Sequence, residues 1–118
     1  MSNTASISCD HLHQKAMHQT ELALKAEKSG NAKTAITHFQ KAFDLEKQAA
    51  MTLAYQFELE PSRSVLFRSA SYLAIKAKRY REAERMAAFG LIGNPPIEIA
   101  VELREALNES QEHLKLVA

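Results

Sequence analysis

Apolar residues recur at spacings of three and four along most of the chain, which is the period of one face of an α-helix. The pattern becomes regular near Asp10, where we expect the first helix to begin with this residue as its N-cap, after a polar and flexible lead-in over residues 1–9. No stretch of useful length alternates apolar and polar residues with period two. The pattern therefore predicts an all-α fold, with one domain over residues 10–118.

Turn signals divide this pattern into five helices. Ser29-Gly30-Asn31 is expected to end the first helix, with Gly30 in the left-handed conformation and Asn31 as the cap of the second helix. The second helix should continue for close to thirty residues, because no Gly or Pro occurs between Asn31 and Pro61. The third, fourth and fifth helices are predicted over residues 65–77, 81–91 and 97–116.

Two segments share one spacing of small and aromatic residues. Residues 30–43 read GNAKTAITHFQKAF, residues 78–95 read KRYREAERMAAFGLIGNP, and Ala35 and Ala83 take the same place in each, 48 positions apart. This spacing resembles that of the tetratricopeptide-repeat family, whose helix–turn–helix units recur about every 34 residues. The alignment needs fourteen additional residues, which we place at the end of the second helix. The residues that carry the resemblance are Leu22, Ala23, Gly30, Ala35, Phe39 and Ala42 in the first unit, and Phe67, Tyr80, Ala83, Gly90 and Pro95 in the second.

The stretches EPSRSVLFRSASYLA and GNPPIEIAVELREAL are also similar to those of short bacterial tetratricopeptide-like proteins. The resemblance implies two antiparallel helical hairpins, the first with an elongated second helix, followed by a C-terminal capping helix. It also implies a concave groove with an apolar floor and a cationic lining, where a cation such as Arg68 holds a carboxylate of a partner peptide or helix. The residues expected to line this groove are Leu24, Lys28, Arg68, Tyr72 and Lys76.

The elongated end of the second helix is a second candidate surface. Phe57 and Leu59 would lie about 200° apart on a helix, so one side of the extension lacks an internal partner. A homodimer that buries this side is our leading interpretation, and a partner helix or the fifth helix folded over it are the alternatives. The residues predicted to associate are Met51, Tyr55 and Leu59.

Charge is distributed unevenly, although the net charge is only +1. Residues 61–97 carry seven basic and two acidic residues, whereas residues 98–118 carry two basic and five acidic residues. The basic segment over residues 63–85 suggests an alternative function, a regulatory protein associated with nucleic acid. The competing interpretation is that these cations pair with the acidic stripe of the fifth helix.

Sequence motifs for chemistry are not found. The chain has no Gly-rich phosphate loop and no nucleophile or zinc-protease motif, so we expect neither an enzyme nor a cofactor. Cys9, His11 and His13 are the one metal-like cluster, but residues two apart point to opposite sides of a helix, so no metal site is expected. The single cysteine and the lack of an apolar run long enough to cross a bilayer suggest a cytoplasmic protein that does not bind a membrane. We expect its partner to be a protein or a peptide.

Overall fold

Five α-helices form the computed structural model, which describes the backbone of residues 2–117 and the side chains of residues 8–115. The helices are α1 (Ser2–Lys28), α2 (Ala32–Thr52), α3 (Ser62–Lys76), α4 (Tyr80–Leu91) and α5 (Ile97–Val117). All regular secondary structure within the described residues is helical. The all-α prediction is therefore confirmed.

The turns after α1 and α3 have the same backbone geometry. Gly30 has a φ of 75° and Lys78, at the equivalent place, has a φ of 62°. The residues that follow them, Asn31 and Arg79, have φ values of −99° and −101° and ψ values of 78° and 73°. The left-handed conformation of Gly30 and the capping role of Asn31 agree with the prediction, since the Asn31 side chain accepts a hydrogen bond from the Thr34 amide.

Hydrogen bonds in the two turns also correspond. The Asn31 amide donates to the Ala26 carbonyl at 2.9 Å, and the Arg79 amide donates to the Ala74 carbonyl at 2.8 Å. In both turns the preceding amide donates to a carbonyl three residues earlier, which completes the Schellman pattern that ends a helix. Each following helix then buries its fourth residue, which is Ala35 in α2 and Ala83 in α4.

Side-chain contacts give the directions of the helices. α1 and α2 are antiparallel, because His13 bonds to Glu46 and Gln19 bonds to His38. α4 and α5 are also antiparallel, with contacts that join Tyr80 to His113 and Gly90 to Leu103.

Alternate helices run in the same direction. Near the start of α4, Arg79 pairs with Asp44 of α2, and further along Glu82 pairs with Lys47. Lys76 at the end of α3 pairs with Glu27 near the end of α1. α1, α3 and α5 therefore run in one direction, and α2 and α4 run in the opposite direction.

Two predicted helix boundaries are wrong. α1 begins at Ser2, so Asp10 lies inside this helix and is not its N-cap. α2 ends at Thr52, so the predicted helical extension is absent from residue 53 onward. The fourteen additional residues of the alignment are thus divided between a long α2 and a non-helical segment over residues 53–61.

Buried Arg63 explains the conformation of the 53–61 segment. Its side chain is fully buried at the start of α3, and Nε donates to the Ala54 carbonyl at 2.9 Å. The other guanidinium nitrogens donate to the Phe89 and Gly90 carbonyls at the end of α4. Arg63 therefore ties the segment after α2 to the last turn of α4.

Glu60 and two aromatic rings complete the surroundings of Arg63. The guanidinium carbon lies 5.0 Å from the Phe57 ring centroid and 5.1 Å from that of Phe67. The Glu60 carboxylate accepts from the Ser64 amide at 2.9 Å and from the Asn94 amide at 3.1 Å. Glu60 therefore caps α3 and holds the turn between α4 and α5.

Small and aromatic side chains fill the core of the fold. Phe39, Phe43, Phe67 and Leu103 are almost completely buried, and many alanines lie between the helices. Among residues 2–117, no helix is both long enough and apolar enough to cross a membrane.

Candidate interaction surface

Equivalent positions of α1 and α3 hold most of the residues predicted to line the groove. The two turns are equivalent at an offset of 48 residues, so Leu24 corresponds to Tyr72 and Lys28 corresponds to Lys76. We define the α1–α3 face as Leu24, Lys28, Val65, Tyr72 and Lys76. Leu24 is 45% exposed, although it is apolar, and Lys28 is exposed beside it.

A cleft of about 390 Å³ opens at the amino-terminal end of the α1–α3 face. Its floor is apolar and includes Leu53, Val65 and Leu66. Asp10 and Glu58 stand on its walls as exposed carboxylates. The pair between Glu27 and Lys76 marks the far end of the face. Glu27 lies fourteen residues along α1 from His13, which lines the cleft, and this separation is roughly 21 Å at 1.5 Å per residue.

Arg68 does not offer a free cation to a partner. Its guanidinium donates to the Glu102 carboxylate of α5 at 2.9 Å, and the Tyr72 hydroxyl donates to the Glu102 carbonyl at 3.2 Å. Both residues therefore attach α3 to α5. The role predicted for Arg68, as the group that holds a partner's carboxylate, stays a prediction, and it would require the guanidinium to exchange Glu102 for the partner.

Acidic residues of α5 surround Tyr72. Burial raises the pKa of the Tyr72 hydroxyl, and the nearby Glu105, Glu102 and Glu109 carboxylates raise it further, because each disfavours a second negative charge. Glu105 and Glu109 are exposed. The α5 side of the face therefore carries a carboxylate stripe, whereas the predicted lysines Lys28 and Lys76 remain on the α1 and α3 side.

Lys76 is also paired within the chain. Its ammonium lies 3.0 Å from the Glu27 carboxylate and 5.2 Å from the centre of the Phe39 ring. About half of the Lys76 side chain remains exposed, so the pair is screened by water and stabilises the fold only slightly.

The other cations of the basic segment follow the same pattern. Arg63 is buried, and the remaining pairs in the segment join Arg79 to Asp44, Arg81 to Glu84, and Arg85 to Glu82. Most of these cations therefore have carboxylate partners inside the chain, as the competing interpretation of the charge pattern expects. The partners lie on α1, α2, α4 and α5, and not on α5 alone.

The residues predicted for self-association lie around the 53–61 segment. Tyr55 is 71% exposed, and Met51 at the end of α2 is also exposed. The Tyr55 ring packs edge-on against Phe57 and Phe89, with centroids 6.4 and 6.5 Å away. Leu59 differs from the other two predicted residues, because it is half-buried and packs against the core.

The histidines near Cys9 are separated by the turn of α1. Cys9 is buried and lies 3.6 Å from the Ala49 carbonyl oxygen, whereas His11 is exposed on another side of the helix. His13 Nδ1 lies 2.9 Å from both oxygens of Glu46, a carboxylate that is fully buried. Among residues 8–115, no three such side chains are grouped in a way that could hold a metal ion.

Sequence reasoning missed two buried charged residues. Glu46 and Arg63 are both fully buried, although Arg63 belongs to the basic segment over residues 63–85. The position of Glu46 between Phe43 and Ala49 at helical spacing was an available signal for its burial. No local pattern indicated that Arg63 is buried, since its partners, apart from the Glu60 carboxylate at 3.5 Å, are backbone carbonyls from other segments.

Comparisons of the chain with protein-family models, with curated proteins and with solved structures find no match. The resemblance to tetratricopeptide repeats therefore stays a prediction from the residues named above.

Proposed function

We propose that the chain is a non-catalytic protein-interaction module of tetratricopeptide-like type, an adaptor or scaffold that binds a peptide or helix of another protein on its α1–α3 face. One observation carries the proposal. Leu24 and Tyr72 occupy equivalent positions of two helices that run in the same direction, and Leu24 is 45% exposed although it is apolar. An apolar side chain on such a face is the usual anchor for a bound helix or an extended peptide.

Repetition of the helix–turn–helix geometry supports the tetratricopeptide-like part of the proposal. The two turns share their hydrogen bonds and dihedral angles, and Ala35 and Ala83 are buried at the same place after them. α5 packs on α3 and α4, where the first helix of a third unit would lie. Repeat proteins bind partners on the surface that successive first helices create.

Affinity capture from the native cell tests the proposal. The full chain is compared with Leu24→Asp, which places a charge on the α1–α3 face, and with Tyr55→Asp, which makes a matched change on the exposed aromatic group. We expect Leu24→Asp to lose the captured partner and Tyr55→Asp to retain it. The reverse pattern would show that the partner binds around residues 53–61 instead.

Self-association is part of the same proposal. We propose that a second copy of the chain covers Met51 and Tyr55, because these two apolar side chains and the adjacent Phe57 are exposed together. Light scattering of the purified chain is then expected to report a dimer that Tyr55→Asp converts to a monomer. A chain that stays monomeric at high concentration would contradict this part of the proposal.

The alternative of a nucleic-acid-associated regulator has less support. Most cations of residues 63–85 would have to leave carboxylates of the same chain before they could contact phosphates. A gel-shift measurement at 150 mM salt, roughly physiological ionic strength, is expected to show no binding to a DNA or RNA probe.

A further inference from the structure

The carboxylates beside Tyr72 define the chemistry of the partner. The Glu102 carboxylate pairs with the Arg68 guanidinium at 2.9 Å. Glu105 and Glu109 follow Glu102 on α5, and both are exposed. Within residues 8–115, neither of these two carboxylates lies within 4.0 Å of a basic group. They are separated by four residues, so they stand one above the other along the helix.

Apolar surface adjoins this carboxylate stripe. Tyr72 is half-buried between α3 and α5, and Leu24 lies at the equivalent position of α1. A ligand on this surface would contact apolar side chains along its centre, carboxylates along the α5 side, and the exposed Lys28 at the end of α1. The carboxylates Asp10 and Glu58 add negative charge at the amino-terminal end of the face.

We propose that the α1–α3 face binds an amphipathic helix whose polar side is basic. Lysine or arginine residues spaced four apart on the bound helix lie against Glu105 and Glu109, while its apolar side covers Leu24 and Tyr72. The length of the face, roughly 21 Å, accommodates about four turns of helix, or fourteen residues. This inference rests on the proposed function, since it names the partner of the same face.

Acidic and apolar partners fit the face less well. An acidic helix would place its carboxylates against Glu105 and Glu109, and like charges at close range disfavour binding. A wholly apolar helix would leave both carboxylates beside it without a compensating charge.

Two synthetic helical peptides of fourteen residues test the proposal by fluorescence anisotropy. Both carry the same leucine pattern, and their polar faces carry lysine in one peptide and glutamate in the other. We expect the lysine peptide to bind the full chain about fivefold to thirtyfold more tightly at low salt, as two exposed ion pairs allow. Glu105→Gln/Glu109→Gln should remove most of this preference.

A matched variant controls for net charge. Asp44→Asn/Glu84→Gln removes two negative charges from α2 and α4, outside both the α1–α3 face and the carboxylate stripe, and should keep the preference for the lysine peptide. Equal loss of the preference in both double variants would overturn the inference, because the attraction would then be non-specific.

Leu24→Asp separates this inference from the proposed function. If both peptides bind equally well and Leu24→Asp weakens both, the face binds helices but the basic partner is wrong. If neither peptide binds, or if Leu24→Asp changes neither affinity, both the face and its partner are wrong.

Discussion

Removal of the Arg63 guanidinium is expected to be one of the most damaging single changes in this chain. Arg63 is fully buried and donates hydrogen bonds to the carbonyls of Ala54, Phe89 and Gly90. Arg63→Met keeps a flexible apolar stem between the rings of Phe57 and Phe67. The substitution therefore tests the hydrogen bonds and the charge with little change in packing.

The expected cost follows from the three carbonyls that lose their donor. An unsatisfied buried acceptor costs about 1–3 kcal/mol, and loss of one partner of a buried charge contact costs about 3–5 kcal/mol. We take about 4 kcal/mol as the expected decrease in the free energy of unfolding. A domain of this length has a total of roughly 6–18 kcal/mol, so the variant should still fold.

Urea unfolding followed by circular dichroism measures this decrease. Arg63→Lys retains the charge but has fewer donors, so we expect about half of the loss. Arg81→Met is the matched control, because Arg81 is exposed and pairs only with Glu84; it should change stability by less than about 0.5 kcal/mol. A loss below about 1 kcal/mol in Arg63→Met would refute the role of Arg63 in holding residues 53–61 against α4.

Three further predictions use the same unfolding assay. Gly30→Ala should lower the free energy of unfolding by about 1 kcal/mol, because Gly30 has a positive φ that alanine rarely adopts. Lys78→Gly should raise it by up to about 1 kcal/mol, because Lys78 has a similar positive φ. Destabilisation by Lys78→Gly would contradict the equivalence of the two turns. His13→Ala should lower the free energy of unfolding by about 2–4 kcal/mol, because the buried Glu46 carboxylate loses its hydrogen-bond donor. His13→Leu/Glu46→Leu should recover most of this loss. A decrease below about 0.5 kcal/mol in the single variant would count against the pair. Lys47 and then Arg85 hold the pKa of Glu82 below its ordinary value of 4.5, so the stability from these contacts is present above pH 4.5 and is lost as the pH falls through the lowered pKa. Glu82→Gln should therefore be less stable than the unchanged chain by up to about 1 kcal/mol at pH 7, with a difference that disappears in acid; a difference that persists there would contradict the ion pairs.

Local sequence signals were sufficient for most of the helices. The turn at Ser29-Gly30-Asn31 and the break before α5 contain residues whose backbone preferences determine the conformation without help from distant contacts. The predicted starts of α3 and α4 are within three residues of those observed. Periodicity and capping therefore predict this fold class well, because both depend on neighbours in the chain.

The end of α2 could not be predicted in this way. Residues 53–60 contain no Gly or Pro, so local propensity favours a continued helix. A helix, however, would point Phe57 and Leu59 in opposite directions. The observed segment instead buries Leu53 and packs Leu59 against the core, and Arg63 holds the Ala54 carbonyl. These contacts come from distant parts of the chain.

Charges of the candidate site were harder to predict than its positions. The resemblance placed Leu24 and Tyr72 on neighbouring helices, and the structure brings them to equivalent positions of α1 and α3. The resemblance could not show that Glu102 neutralises Arg68, because the register between α3 and α5 depends on their packing. The acidic stripe was visible in the sequence, but its proximity to Tyr72 was not.

Backbone amide chemical shifts of the full chain, recorded while the lysine peptide is added, test the central claim most directly. The claim is that the α1–α3 face binds the partner. The account predicts that the shifts change around Leu24 and Tyr72 and along the adjoining stripe of α5. Changes centred on Tyr55, or changes spread evenly over α2 and α4, would contradict it.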